Sequence, residues 1–229
     1  YYGLMETKIG GADCVISQTG FTGEKGYEIY VRDAHENAEK MWNAVLEAGE
    51  EFGLMVIAPA HHRRIAAGIL SWGQDLDHET SPFQVNLSYQ VPRNKEADYI
   101  GKEALEKQRA IIDEGNAPFK MKMVGLIFGG KEITDYAPDF WLINDTDGNE
   151  MGFISSPWWS PELGTNIALG WVPWESSAIG TKLQVMLPDE YADSSGAPVD
   201  GEIVDIPFRE SVNPNKREVQ KAKGLDFAD

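Results

Sequence analysis

The clearest hydrophobic pattern along the chain lies at residues 34–49. Apolar side chains recur there at spacings of three and four residues, as they do on one face of an α-helix. The members of this face are Ala38, Met41, Trp42, Val45 and Leu46. Asp33 and Glu36 predict a capping box at the start of the helix, and Gly49 is predicted to cap its end.

Shorter elements surround this helix. The pattern predicts strands at 13–17 and 26–31 and further helices at 59–69 and 101–113. The loop between the two strands, residues 19–26, contains three glycines, which permit positive φ angles and a close approach of the backbone to a ligand. This part of the chain is therefore predicted to be a mixture of helices and strands.

The pattern changes after residue 118, where short β-like runs alternate with turn residues. The runs are 123–128, 140–143, 151–154, 167–172, 183–187 and 203–206. They predict a separate antiparallel sandwich or barrel. We expect three parts: residues 1–117 as an α+β region, 118–212 as the β domain and 213–229 as an extended charged tail.

The net charge of the chain limits the kinds of molecule that it is expected to bind. The net charge is −17, which disfavours nucleic acid and anionic membranes as general partners. No apolar run approaches the roughly 18 residues of a membrane span. Cys14 is the single cysteine and lies in an apolar strand, so it is predicted to be buried, and a reducing cytoplasm is the expected location. The chain opens at Tyr1 without a methionine or a leader, which suggests a fragment or a processed product.

Metal binding is not predicted. The adjacent His61 and His62 lack the i,i+4 spacing of a helical zinc pair. The segment 145–150 has its glycine at the fourth position, where a calcium-binding EF-hand loop has it at the sixth. Asp147-Gly148 therefore predicts a hairpin turn.

Two pairs of adjacent residues, one cationic and one aromatic, each allow a structural and a ligand-binding interpretation. Arg63 and Arg64 offer planar forks that can hold an anionic ligand or form structural ion pairs. Trp158 and Trp159 can pack in a core or hold a sulfonium or ammonium group by cation–π attraction.

Several ordered segments resemble the glycine-cleavage T-protein family over nearly the whole chain. Residues 17–29 resemble its "S-R-T-G-Y-T-G-E-x-G-F-E" signature. Residues 64–68 and 72–77 resemble "R-L-E-A-G" and "Y-G-Q-D-x-D". Residues 99–105 resemble "F-I-G-K-E-A-L", and 160–170 resemble "S-P-x-L-x-x-x-I-A-L-A". The chain thus resembles the C-terminal portion of that family.

The resemblance implies an α+β fold, with a folate-binding T-protein-like region followed by a C-terminal antiparallel β-barrel. It also implies tetrahydrofolate as the cofactor, which exchanges a one-carbon unit at N5. Glu28 matches the acidic residue that hydrogen-bonds the pterin, a task for which a carboxylate is suited. The other predicted folate-binding residues are Phe21, Tyr2, Arg64, Trp72 and Arg217. The catalytic acidic residue of the family belongs to its amino-terminal half, so no residue here is assigned that role.

Two departures bear on the reaction. Ala60 and Ala66 stand where T-proteins carry the arginine of "G-A-R-D" and the glutamate of "R-L-E-A-G". The dimethylsulfoniopropionate demethylase branch also lacks that arginine, so we expect a demethylase that moves a methyl group from a small-molecule methyl donor to tetrahydrofolate. The alternatives are a glycine-cleavage aminomethyltransferase, which needs a lipoyl carrier protein, and a non-catalytic folate-binding relative.

Overall fold

The N-terminal part of the chain forms a three-stranded antiparallel sheet with one helix against it. The computed structural model describes residues 2–59 and 61–208. The sheet has the order β1-β2-β3, and the helix α1 packs against all three strands. The elements are β1 (Leu4–Ile9), β2 (Ala12–Ser17), β3 (Glu28–Val31) and α1 (Ala34–Gly49). Cys14 is buried in β2, as its apolar surroundings predicted.

The predicted bounds of α1 are confirmed, but the capping contacts predicted at its two ends are not formed. Asp33 has a φ of 49°, in the left-handed region, and its side chain makes no capping hydrogen bond. At the other end the chain continues past Gly49 as a 3₁₀ turn over Glu50–Phe52, and Gly53, with a φ of 70°, takes the left-handed position. The sequence therefore located α1 and its bounds, while the backbone conformation at each end could not be predicted from the residue types.

Two shorter helices and an irregular segment lead to the second domain. The helix α2 covers His61–Ala66, shorter than the predicted 59–69. The chain leaves the helix at Gly68, whose φ of 67° suits glycine and whose N–H donates to the Ile65 carbonyl. The helix α3 covers Lys102–Asp113 and confirms its prediction to within one residue.

Six antiparallel strands close into a barrel, which confirms the predicted β-barrel. Their order around the barrel is β4-β7-β6-β5-β8-β9. The strands are β4 (Met121–Phe128), β5 (Trp141–Asn144), β6 (Glu150–Ser160), β7 (Thr165–Pro173), β8 (Lys182–Val185) and β9 (Val199–Val204). The side chains of Leu126, Ile143, Val172 and Leu183 are fully buried within it. Closure of this kind leaves no open strand edges.

The strand β6 is longer than predicted. The predicted run ended at residue 154, and the strand continues to Ser160. A register shift between Ile154 and Ser156 lets it bend with the barrel wall. Gly152 is required here, because a Cβ atom would lie 2.0 Å from the Trp171 carbonyl oxygen on β7. The bulge region also carries Ser155, which points toward the preceding domain, as described below.

The acidic segment before β6 forms the predicted hairpin turn. One Asp145 carboxylate oxygen accepts the N–H groups of Asp147 and Asn149. Gly148 has a φ of 87°. Among the described residues, no group of three or more histidine, cysteine, aspartate or glutamate side chains is placed to hold a metal ion.

No helix in the described ranges has both the length and the apolar character needed to cross a membrane. The predicted tail, residues 213–229, lies outside the described residues, and the predicted domain boundaries stay a prediction.

Candidate functional site

The sheet brings Glu28 and Tyr2 to one end of the N-terminal domain. Glu28 opens β3 and pairs with Ser17 at the end of β2, which in turn pairs with Leu4 of β1. Just beyond this row, the Tyr2 N–H donates to the Gln18 carbonyl at 3.1 Å. Two residues that are 26 positions apart in the sequence therefore lie at the same end of the sheet, with β2 between their strands.

The Glu28 carboxylate is exposed and held by one neighbour. The Thr19 hydroxyl donates to Glu28 Oε2, and Thr19 Oγ1 also lies 3.1 Å from Ser17 Oγ. Within residues 2–59 and 61–208, no group donates a hydrogen bond to Glu28 Oε1. This geometry presents an oriented carboxylate oxygen that can accept an N–H group of a ligand.

Two of the predicted aromatic residues have accessible side chains. Phe21, in the glycine-rich loop, is 49% exposed and Tyr2 is 61% exposed. The Phe21 ring centroid lies 5.9 Å from the Arg64 guanidinium carbon, within cation–π range. That contact connects the glycine-rich loop to α2.

Arg64 is fully buried, and its donors are directed at protein groups. A guanidinium group has five N–H donors. The acceptors are Asp75 Oδ2 at 2.8 Å, Ile69 O at 3.1 Å, Ser156 Oγ at 2.8 Å, Gln74 Oε1 at 3.2 Å and His61 Nδ1 at 3.2 Å. Of the two roles that the sequence allowed for Arg64, the structure shows the structural ion pair, which it forms with Asp75. A direct contact between Arg64 and a ligand stays a prediction.

Asp75 links the loop after α2 to the barrel, a role that sequence reasoning missed. Its Oδ1 accepts the hydroxyls of Ser155 at 2.6 Å and Ser156 at 2.5 Å, and its Oδ2 accepts the Ser71 N–H at 2.7 Å. Its backbone carbonyl accepts the Trp171 indole N–H at 3.1 Å. These partners lie up to 96 positions away, so no local pattern could have identified them.

His61 lies at the edge of the buried Arg64 network and is itself partly buried. Its ring centroid lies 4.1 Å from that of Tyr136 and 5.5 Å from that of Trp158. Burial lowers the pKa of His61, the nearby Arg64 charge lowers it further, and the Asp75 carboxylate partly opposes both. Acceptance of the Arg64 Nε–H at Nδ1 also requires that nitrogen to be unprotonated. His61 is therefore neutral near pH 7.

Trp72 follows Ser71 and is 67% exposed. The loop closes behind it through a hydrogen bond from the Gly73 N–H to the Leu76 carbonyl at 2.8 Å. Beneath this loop lies a cavity of about 290 Å³ against the barrel, lined in part by the stacked rings of Phe140 and Phe153. Trp72 thus presents its indole at the border of the two domains.

The remaining predicted positions fall elsewhere. Arg217 and Ala60 lie outside the described residues. Ala66 is 5% exposed and packs in an apolar cluster with Ile65, Val85 and the barrel residue Met123. The structure thus places Tyr2 and Glu28 at one end of the N-terminal sheet and Phe21 against Arg64. The Arg64–Asp75 network connects Arg64 to the loop that carries Trp72.

Comparisons with known proteins agree with this architecture. A model of the GCVT N-terminal domain matches residues 1–95, and a model of the glycine cleavage T-protein C-terminal barrel domain matches residues 119–208. An aminomethyltransferase of Geobacillus sp. is 34% identical over 79% of this chain and 47% of its own length. One of Bacillus subtilis is 32% identical over 80% of this chain and 48% of its own length.

The chain spans about half the length of the curated relatives it matches. The crystal structure of glycine cleavage system aminomethyltransferase T from Bartonella henselae superposes with a TM-score of 0.65 at 24% identity. That alignment covers 86% of this chain and 50% of the other, and it shows a shared fold. With a match to each of the two domain models over most of its residues, the chain belongs to the glycine cleavage T-protein family.

Proposed function

We propose that the protein is a tetrahydrofolate-dependent one-carbon transferase and that the Glu28 end of the sheet holds the pterin. The observation that carries this proposal is the exposed Glu28 carboxylate, oriented by Thr19. The exposed Tyr2 lies at the same sheet end, and the exposed Phe21 lies in the loop between β2 and β3. A pterin presents adjacent N–H donors to a carboxylate and a flat face to aromatic rings. Family membership supports the choice of folate.

Aminomethyl transfer is the reaction that the relatives support best. Both relatives described above are named aminomethyltransferases. In this reaction the one-carbon unit comes from a lipoyl carrier protein, and methylene-tetrahydrofolate is the product. The demethylase expected from the sequence has no comparable support among these names, so we place it second.

One observation still favours methyl transfer. Ala66 replaces the family glutamate and lies among apolar side chains, so no carboxylate is available at that position of α2. A cationic methyl donor of the dimethylsulfoniopropionate type also suits a chain with a net charge of −17 and an exposed Trp72. The second candidate is therefore a demethylase with 5-methyl-tetrahydrofolate as its product.

The network around Arg64 has a positioning role in either reaction. It fixes the loop that carries Trp72 against strands β6 and β7, and its Arg64 guanidinium group lies over the Phe21 ring. We propose that Trp72 contacts the ligand from the barrel side and that Arg217 pairs with its carboxylates. A cytoplasmic location, where Cys14 stays reduced, is part of the same proposal.

The test supplies the full-length gene product with tetrahydrofolate and a panel of donors and identifies the folate product by mass spectrometry. The panel contains aminomethyl-lipoyl carrier protein, dimethylsulfoniopropionate, a betaine and a methoxy-aromatic compound. Methylene-tetrahydrofolate with the carrier protein supports the first candidate, and 5-methyl-tetrahydrofolate with a small donor supports the second. Folate binding without turnover of any donor contradicts both and favours a non-catalytic relative.

A further inference from the structure

A small cavity beside α3 gathers positive charge in an otherwise acidic protein. Its volume is about 140 Å³. Its lining includes the cationic side chains Arg93, Lys95, Lys102 and Arg109, together with Tyr99 and Glu106. The chain carries 37 acidic and 20 basic residues, so a site where cations outnumber carboxylates runs against its overall composition.

The two lysines are held by neutral groups. Lys102 Nζ donates to the backbone carbonyls of Lys95 at 3.2 Å and Glu96 at 3.5 Å. Lys95 Nζ lies 4.7 Å from the centroid of the Tyr99 ring. These contacts orient the ammonium groups without cancelling their charge, because neither a carbonyl nor an aromatic face carries a formal negative charge.

Of the two arginines, Arg109 is buried and Arg93 is exposed. Arg109 is 8% exposed, donates to the Val91 carbonyl and lies 5.0 Å from the centroid of the Phe83 ring. Arg93 forms two hydrogen bonds of 2.7 Å with the Asp113 carboxylate. These hydrogen bonds, followed by the charges of Arg93 and Arg109, lower the pKa of Asp113.

Positive charge is in excess among the lining side chains and the Asp113 carboxylate that pairs with Arg93. Arg93, Lys95, Lys102 and Arg109 contribute four positive charges, and Glu106 and Asp113 contribute two negative ones, which leaves a net charge of two. The helix α3 also begins at Lys102 without a side-chain cap, so its dipole adds partial positive charge at the same place.

We propose that this cavity binds a compact, doubly charged oxyanion of the phosphate class. With roughly 30 Å³ for each water molecule, about 140 Å³ is room for one phosphate-sized group and its closest solvent. The free ammonium donors of Lys95 and Lys102 supply charge-assisted hydrogen bonds to the phosphate oxygens. A free phosphate ion and the phosphate of a small ester share this chemistry.

The experiment is calorimetric titration of the protein with inorganic phosphate and, in a second arm, with glycerol 3-phosphate. We expect saturable binding of one anion per chain that weakens as sodium chloride is raised. The Lys95→Gln/Lys102→Gln double variant should lose at least about tenfold in affinity. Lys107→Gln is the matched control, because Lys107 lies on the same helix, exposed and paired with Glu103, and it should bind like the wild type.

A spectroscopic readout accompanies the titration. Because Lys95 lies over Tyr99, the anion should shift the Tyr99 ring resonances in the wild type and not in the double variant. Tighter binding of inorganic phosphate identifies a free ion, and tighter binding of the ester identifies a phosphorylated metabolite. If the double variant fails to fold, Lys95→Gln alone carries the test, since that side chain is exposed. The proposal is overturned if the wild type shows no saturable binding of either anion. It is also overturned if the Lys95→Gln/Lys102→Gln variant, or Lys95→Gln where that variant carries the test, binds as tightly as the wild type.

Discussion

The two parts of the molecule bury their apolar residues to very different degrees. The barrel encloses a continuous core with Leu126, Ile143 and Leu183 fully buried. In the sheet and helix of residues 4–49, the buried apolar residues among those described are Ala12 and Cys14, and α1 has none. Apolar burial is the main source of folding free energy. The barrel should therefore be the stable unit, and the sheet end with Glu28 the more mobile one.

The largest effect is expected where the two parts meet. Arg64→Ala removes the buried partner of Asp75 and should lower the free energy of unfolding by about 3–5 kcal/mol, because it leaves a carboxylate buried without its counter-charge. Urea denaturation measures this. Arg63→Ala is the matched control, since Arg63 is an exposed neighbour on the same helix, and its effect should stay within about 0.5 kcal/mol. Equal effects of the two substitutions would contradict the structural role of Arg64.

A pair of isoleucines sharpens the comparison between the two parts. Ile143→Ala opens a cavity in the barrel core and should lower the free energy of unfolding by about 2–5 kcal/mol. Ile57→Ala, at a position that is 68% exposed, should change it by less than about 0.5 kcal/mol. Both are measured by chemical denaturation. A large effect at Ile57 would show that residues 2–59 possess a core that the burial pattern does not contain.

The smallest expected effect is the pH dependence that His61 introduces. Because the pKa of His61 is lowered in the folded protein, the unfolded chain takes up a proton more readily. Stability is therefore fully present above the ordinary value of about 6.5 and falls as the pH is lowered through it toward the folded value. His61→Gln should flatten this slope in thermal unfolding between about pH 5 and 7.

His35→Gln provides the control for that experiment. His35 is an exposed histidine on α1, and its replacement should preserve the slope. A slope that persists unchanged in His61→Gln would show that another group is responsible.

Short-range sequence patterns predicted most of the helices and strands, whereas the arrangement of the candidate site depends on contacts between residues far apart in the sequence. The barrel strands and α3 followed from short-range alternation and helical spacing, because those signals depend on neighbours in sequence. The left-handed conformation of Asp33 and the early exit of α2 at Gly68 depend on how the chain turns, which the residue types alone did not reveal.

The candidate site shows the same division. Sequence similarity predicted Glu28 as a site residue, and the sheet places it at the same end as Tyr2, with β2 between their two strands. The burial of Arg64 could not be foreseen, because it depends on Asp75 and on Ser156, which lies 92 positions away. An arginine that can serve a ligand or an ion pair has the same sequence signature in both cases.

The central claim is that the Glu28 carboxylate holds the pterin of tetrahydrofolate, and a titration of tetrahydrofolate into the wild type and Glu28→Gln tests it most directly. The substitution keeps the shape and removes the charge, so affinity should fall by about tenfold or more. Glu6→Gln is the control, because Glu6 is an exposed carboxylate in the same sheet that pairs with Arg32, and its affinity should equal that of the wild type. Equal affinity of Glu28→Gln and wild type, or no binding by the wild type, would contradict the claim.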